Sequence, residues 1–203
     1  MTIAAILLAA GFSRRFGAAN KLLAAAADGR PMVRHTAGHI LQSMARPLVV
    51  VLGHEAPAVQ ACLQDLDLSF VLAADYAEGI AASVRAGVAA LPAGCTGVLI
   101  CLGDMPLVTP QTLNALIVTA QTAPSPSIVA PTHAGHRGNP VVWPRAFFPD
   151  LLALTGDRGG SALIAAKYPD KLLALEVSDP GVLADFDFTG DWARGSYTNG
   201  PKC

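Results

Sequence analysis

The sequence predicts an α/β fold, a mostly parallel sheet with helices on both faces, and three observations carry that prediction. Short apolar runs alternate with longer helical patterns over the first ~120 residues, as in strand–helix–strand units. The runs are apolar throughout, as strands covered by helices on both sides are. Two of them end in a glycine followed by a polar residue, Gly53-His54 and Gly103-Asp104, at the strand ends where open α/β sheets bind ligands.

The elements follow in order. Ile3–Ala9 reads as the first strand. The segment 33–44, entered through Pro31, reads as a helix, and Leu48–Leu52 as a strand stopped by Gly53. Residues 58–66, entered through Pro57, are expected to be helical, 70–73 a strand, 81–91 after Gly79 a helix, and 98–102 a strand. Thr109-Pro110 opens a helix over 113–120, with Thr as cap and Pro at the first helical position. Farther on, 128–130 and 140–143 read as strands around a Gly- and His-rich loop at 133–139. The segments 147–154 and 162–168 read as helices and 172–177 as the last strand. No repeat or Pro/Ser linker divides the chain, so 1–194 is expected to be one domain and 195–203 a polar tail.

Composition narrows the function. With 203 residues, 52% hydrophobic and 14% charged, the chain can bury a sizeable core. Fourteen basic residues against 15 acidic ones, a net charge of −1, speak against a polycationic nucleic-acid binder, a basic membrane-surface protein and a disordered chain. Cys62, Cys95, Cys101 and Cys203 make no C-x-x-C pair and have no His at zinc spacing. They read as reduced thiols of a cytoplasmic protein, Cys62 and Cys101 as inert core residues. The apolar start has no basic n-region and stops at Gly11, so no secretory leader is expected. No stretch reaches the ~18 apolar residues of a membrane span.

Chemistry is concentrated after the first and fourth apolar runs. Leu8-Ala-Ala-Gly-Phe-Ser-Arg-Arg-Phe-Gly-Ala-Ala-Asn-Lys21 combines small residues with Arg15 and Lys21. Small residues let backbone N–H groups approach anionic oxygens, and the two cations can neutralise a polyphosphate. The loop is neither a Walker A motif nor a dinucleotide G-x-G-x-x-G fingerprint, and alone it reads equally well as an ordinary turn with solvated arginines. Gly103-Asp104-Met-Pro106 sets one carboxylate at a strand end, suited to Mg²⁺ on a polyphosphate or, more plainly, to an Asx turn. Asp185-Phe-Asp187 supplies two further carboxylates, either of which can be the second metal ligand or part of a solvated surface pair. His133 and His136 read as polar loop residues, His35 and His39 as neighbours on one helix face, and His54 as a turn residue.

Taken together, the segments resemble the nucleotidyltransferases that complete molybdenum cofactor, the cytidylyl- and guanylyltransferases acting on molybdopterin. The resemblance runs from Ile3 to about Asp187 and adds Glu78-Gly-x-x-x-Ser-x-Arg-x-Gly87, Gly103-Asp-Met-Pro-Leu107, Gly135-His-Arg-Gly-Asn-Pro-Val141 and Gly156-Asp-Arg-Gly159 to the first loop. Each motif is weak alone; their order along one chain is specific. The resemblance implies a Rossmann-like nucleotidyltransferase fold. It implies nucleotide contacts at Leu8, Ala9, Ala10, Gly11, Ser13, Arg15, Lys21, Asp75 and Ser83. It implies Mg²⁺, with Mn²⁺ as the alternative, on Asp104 with Asp187 or Asp185. It places the acceptor at Gly138, Asn139, Pro140, Gly156 and Asp157. The chain departs from the family pattern at Ser161, at Ala73-Ala74 and over 188–191, which bears on the acceptor more than on the chemistry.

The expected activity is transfer of CMP from CTP to the terminal phosphate of molybdopterin, with Lys21, Arg15 and Asp104 as the catalytic groups. CTP is favoured over GTP because Ala10 adds a methyl where guanylyl relatives carry Gly, and because Glu78-Gly-Ile-Ala-Ala-Ser83 resembles the cytidylyl branch. A molybdenum hydroxylase would receive the product; neither nucleic acid nor membrane is an expected partner. The rival readings are a guanylyltransferase, a relative acting on another phosphorylated small molecule, and a non-catalytic cofactor carrier.

Overall fold

Residues with odd and even numbers in each central strand face opposite ways, and in this chain both faces are apolar. The computed structural model describes residues 2–12 and 20–186. All seven residues of β1 (Ile3–Ala9) and all five of β2 (Leu48–Leu52) are buried. Ile3, Ala5, Leu7 and Ala9 enter one core with Leu48, Val50 and Leu52, while Ile6 and Leu8 enter a second core with Val51. β4 (Gly97–Leu102) divides the same way, Leu99 and Cys101 to the first core and Val98 and Ile100 to the second. Helices α1 (Met32–Gln42), α2 (Ala56–Ala61) and α4 (Pro110–Thr122) cover the first core. Helices α3 (Ile80–Ala89), α5 (Phe148–Leu152) and α6 (Gly160–Lys167) cover the second.

The remaining strands are β3 (Ser69–Leu72), β5 (Ile128–His133), β6 (His136–Arg137), β7 (Val141–Pro144) and β8 (Leu172–Glu176). The eight-stranded sheet runs β3-β2-β1-β4-β7-β5-β6, with β8 also on β5. β1 pairs in parallel with β2 and β4, β2 with β3, and β5 with β8. β7 is antiparallel to both β4 and β5. The expected mostly parallel sheet with helices on both faces is thus the observed one.

Three local expectations change. The helix expected at 58–66 is Ala56–Ala61; tight turns follow, with Leu63 N to Gln60 O and Leu66 N to Leu63 O both 3.0 Å, and they bring Asp65 to Arg34. The helix expected over 113–120 begins where its cap and proline place it, at Pro110, with Thr109 Oγ1 accepting from Thr112 N at 3.3 Å, but it runs on to Thr122. The loop expected at 133–139 is a hairpin: β5 pairs with β6, and Ala134 and Gly135 at its tip have φ of 50° and 80°, the left-handed pair that matches the twist of a two-residue turn. Among the described residues no helix is long and apolar enough to cross a membrane.

Candidate active site

From β1 the chain proceeds to β2 on one side of the sheet, and from β4 it proceeds to the other. Such a switch point opens a crevice at the carboxyl ends of two neighbouring strands. Gly103 closes the approach of the two loops. Its N–H donates to Leu8 O at 3.0 Å, and a Cβ there would sit 2.9 Å from the same oxygen. Thr36 Oγ1 donates to Gly103 O at 3.0 Å from α1. On the facing loop, Asn20 Oδ1 accepts from Leu22 N at 3.1 Å and starts a single tight turn, Lys21–Leu23. Leu22 is buried against Gly103. These anchors bring Lys21 Nζ to Asp104 Oδ2 at 2.5 Å, each side chain only 17% exposed. The cation and the carboxylate that the sequence nominates are therefore partners.

Asp185 comes from the segment that follows β8. Phe186 N donates to Asp104 O at 3.3 Å, and the Phe186 ring is buried beside Met32. Asp185 is thereby tethered next to the Asp104 loop; Asp187 lies outside the described residues. Among the described residues no three His, Cys, Asp or Glu side chains gather to form a closed protein cage for a metal. One or two carboxylates are the oxygen donor set that Mg²⁺ or Mn²⁺ takes when phosphate oxygens and water complete its shell, so the residues present fit such an ion.

Of the expected nucleotide contacts, Leu8, Ala9 and Ala10 are buried and Gly11 is open. Ser13 and Arg15 lie outside the described residues. Ala10 has 3% of its surface exposed. A Cβ on Gly53 would sit 2.7 Å from Ala10 Cβ and 2.7 Å from Tyr76 Cγ. The Ala10 methyl is enclosed against the end of β2. Asp75 is exposed ahead of the turn Tyr76–Glu78, and Ser83 is buried in α3. Sequence reasoning missed an aromatic group here. Phe12 packs at a tilt against His54 and Tyr76, 5.1 Å and 5.0 Å from ring centre to ring centre. The three come from the loops after β1, β2 and β3, and the one available signal was that each follows a strand end.

The expected acceptor residues fall into two groups with different anchors. Gly138, Asn139 and Pro140 lead into β7, whose antiparallel direction returns them to the edge where β4 ends. Gly138 N donates to Pro131 O and Asn139 N to Val182 O, both at 2.9 Å. Gly156 and Asp157 lean on the start of α3 instead. Gly156 O accepts from Ala81 N at 3.1 Å, and a Cβ on Gly79 would sit 2.4 Å from Asp157 Oδ1. The other polar candidates are structural. His39 Nδ1 donates to Val108 O at 3.0 Å, and His35 Nε2 meets Asp28 at 3.1 Å. Cys101 is buried, and burial pushes its thiol pKa well up, consistent with an inert core residue.

The chain is similar to proteins of known family and structure. The MobA-like NTP transferase domain family matches residues 5–172. The bifunctional protein GlmU of Anaeromyxobacter dehalogenans is 34% identical over 125 residues, 60% of this chain and 25% of that protein. The matched region thus spans about a quarter of the length of that relative. Rv0371c from Mycobacterium tuberculosis H37Rv is 30% identical, with a TM-score of 0.77 over 96% of this chain and 97% of the other. The same protein has been solved in complex with manganese, at a TM-score of 0.71 over 87% of this chain and 90% of the other, and 28% identity. A nucleotidyl transferase from Methanothermobacter thermautotroptrophicus shares the fold, with a TM-score of 0.80, 24% identity and 95% of each chain covered. The chain belongs to the MobA-like NTP transferase domain family.

Proposed function

We propose that the protein transfers CMP from CTP to the terminal phosphate of molybdopterin, or of the finished molybdenum cofactor, and releases pyrophosphate. The observation that carries nucleotidyl transfer is the pairing of Lys21 Nζ with Asp104 Oδ2 at 2.5 Å in the crevice between β1 and β4. A cation for phosphates and a carboxylate for a divalent ion then share one site. Family membership supports an enzyme of this class.

In this reading an oxygen of the acceptor's phosphate attacks the α-phosphorus in line. The bond from that phosphorus to the bridging oxygen of the β-phosphate breaks, and its electron pair leaves with pyrophosphate. A phosphate monoester is already ionised near neutral pH, so no side-chain base is needed. The protein's work is positioning and charge neutralisation. Leu8, Ala9, Ala10, Gly11 and Ser13 offer the triphosphate a close backbone approach, and Asp75 and Ser83 complete the nucleotide side. Lys21, with Arg15, stabilises charge on the leaving group. Asp104, with Asp185 or Asp187, holds Mg²⁺ or Mn²⁺, and the manganese complex of Rv0371c supports that ion class. When bound, such an ion neutralises phosphate charge. Gly138, Asn139 and Pro140 hold the acceptor next to Asp104, and Gly156 and Asp157 bound it from the α3 side. A cytoplasmic setting, and hand-over of the product to a molybdenum hydroxylase, belong to the same proposal.

A second reading, a guanylyltransferase or a transferase acting on another phosphorylated small molecule, is favoured by the similarity to GlmU over 125 residues and by the departures at Ser161 and Ala73-Ala74. Pyrophosphate release separates them. Four nucleoside triphosphates are each incubated with and without molybdopterin, and then with other phosphate monoesters. Release that needs both CTP and molybdopterin supports the first reading. Release with a different nucleotide or acceptor replaces it.

A further inference from the structure

Four hydrogen bonds converge on Asp179, a residue the proposed chemistry does not use. Its Oδ2 accepts from Thr109 N at 3.0 Å, Thr109 Oγ1 at 2.9 Å and Thr112 Oγ1 at 2.7 Å, and its Oδ1 accepts from Gly181 N at 2.9 Å. Thr109 and Thr112 form the first turn of α4, the helix that follows the Asp104 loop. From this anchor the segment 179–186 runs in close contact with two neighbouring loops. A Cβ on Gly181 would sit 2.6 Å from the Leu107 carbonyl, and one on Gly138 would sit 2.2 Å from Val182 O. Val182 O accepts from Asn139 N at 2.9 Å, and Phe186 N donates to Asp104 O at 3.3 Å. One strap therefore touches the metal-side loop at both Leu107 and Asp104 and the acceptor-side loop at Gly138 and Asn139.

We propose that Asp179 is a positioning residue: by pinning the 179–186 strap to α4 it holds Asp185 beside Asp104 and Asn139 in line with them, so metal and acceptor geometry are set together. This rests on the reading of Asp104 and the acidic pair as metal ligands. Groups that orient metal ligands from behind commonly change metal affinity by one to two orders of magnitude when lost.

The test uses the full chain and Mn²⁺ alone, titrated by electron paramagnetic resonance, together with amide hydrogen exchange at Asn139 and Phe186. Asp179→Ala removes the anchor. Asp179→Asn keeps its shape but turns one acceptor atom into a donor facing donors. Thr112→Val removes one of the four bonds to Asp179, along with the contact between the Thr109 and Thr112 hydroxyls, and keeps the side chain's volume. The expected result is roughly tenfold weaker Mn²⁺ binding in Asp179→Ala, with smaller losses in the other two. Exchange at Asn139 and Phe186 rises together, while β1 and β2 stay protected. Partial unfolding alone would lower the number of Mn²⁺ sites and leave their affinity unchanged. That result, or unaltered exchange at both amides in folded Asp179→Asn and Thr112→Val, overturns the proposal. If Asp104→Asn binds Mn²⁺ as tightly as the unaltered protein, the metal reading itself fails and the proposal fails with it.

Discussion

Asp104 meets Lys21 in a crevice where both side chains are largely shielded from water, so the carboxylate's charge is felt strongly there. Asp104→Asn keeps an oxygen that can accept from Lys21 Nζ and removes only the charge. Turnover at saturating Mg²⁺ is expected to fall by a factor on the order of 10² or more, as when other preorganised electrostatic groups are lost. Near-normal turnover would remove Asp104 from the metal site. Ala10 leads to a different expectation. Its methyl is packed against Gly53 and sits near Tyr76, so Ala10→Gly is expected to cost stability, about 0.5–1 kcal/mol from backbone freedom with the lost contact added. The ratio of kcat/KM for CTP to that for GTP should hardly move. Thermal unfolding and the two specificity constants check both statements, and a swing toward GTP would show that the methyl reaches the base.

At the scale of elements, close contacts beside the crevice leave no room for a side chain at Gly79 and Gly103. Gly79 has φ of 119° and lies where a Cβ would press on Asp157 Oδ1 and the Gly156 carbonyl. Gly79→Ala is expected to destabilise by about 1–3 kcal/mol through crowding, with further strain from the left-handed backbone. The thermal midpoint should drop, and hydrogen exchange should rise locally at Ala81, whose N–H bonds Gly156 O. An unchanged midpoint would show that the 156–157 loop yields freely. The strand and helix pattern of β1, β2 and β4 was legible in the sequence because each run is apolar on both faces and ends in a glycine. The hairpin of β5 and β6 was not. Its strands carry Thr132, His133, His136 and Arg137, residues that read as loop, and their pairing depends on the Ala134-Gly135 turn and on β7 and β8 alongside.

For the whole molecule, the terminal strap joins α4, the β4 loop and the entry to β7, so its protonation state bears on global stability. Burial pushes the Asp179 carboxyl up, but hydrogen bonds from Thr109 N, Thr112 Oγ1, Thr109 Oγ1 and Gly181 N outweigh it and leave its pKa below the ordinary aspartate value. A carboxyl whose folded pKa is depressed contributes stability that is full above its unfolded pKa and is lost as pH falls through its folded value. Acidification below about pH 4 should therefore lower the unfolding free energy of the unaltered protein more than that of Asp179→Asn. Chemical denaturation across that range checks the difference, and parallel curves would refute the contribution.

Local chemistry determined a great deal here. Apolar runs, Pro and Thr helix starts, and glycine-acid strand ends lie within a few residues of each other, so the sequence alone specified an α/β sheet covered on both faces and nominated Lys21 and Asp104. The motif order pointed to a nucleotidyltransferase, the class to which the matched family belongs. What needed the tertiary structure are contacts between residues far apart in the chain. Lys21 meets Asp104 across 83 positions, Phe12 joins His54 and Tyr76 across three loops, and Asp179 reaches back to Thr109. Periodicity describes which face of its own element a residue occupies. Which residue of another element it meets is set by strand order and register, and these depend on packing the whole sheet at once.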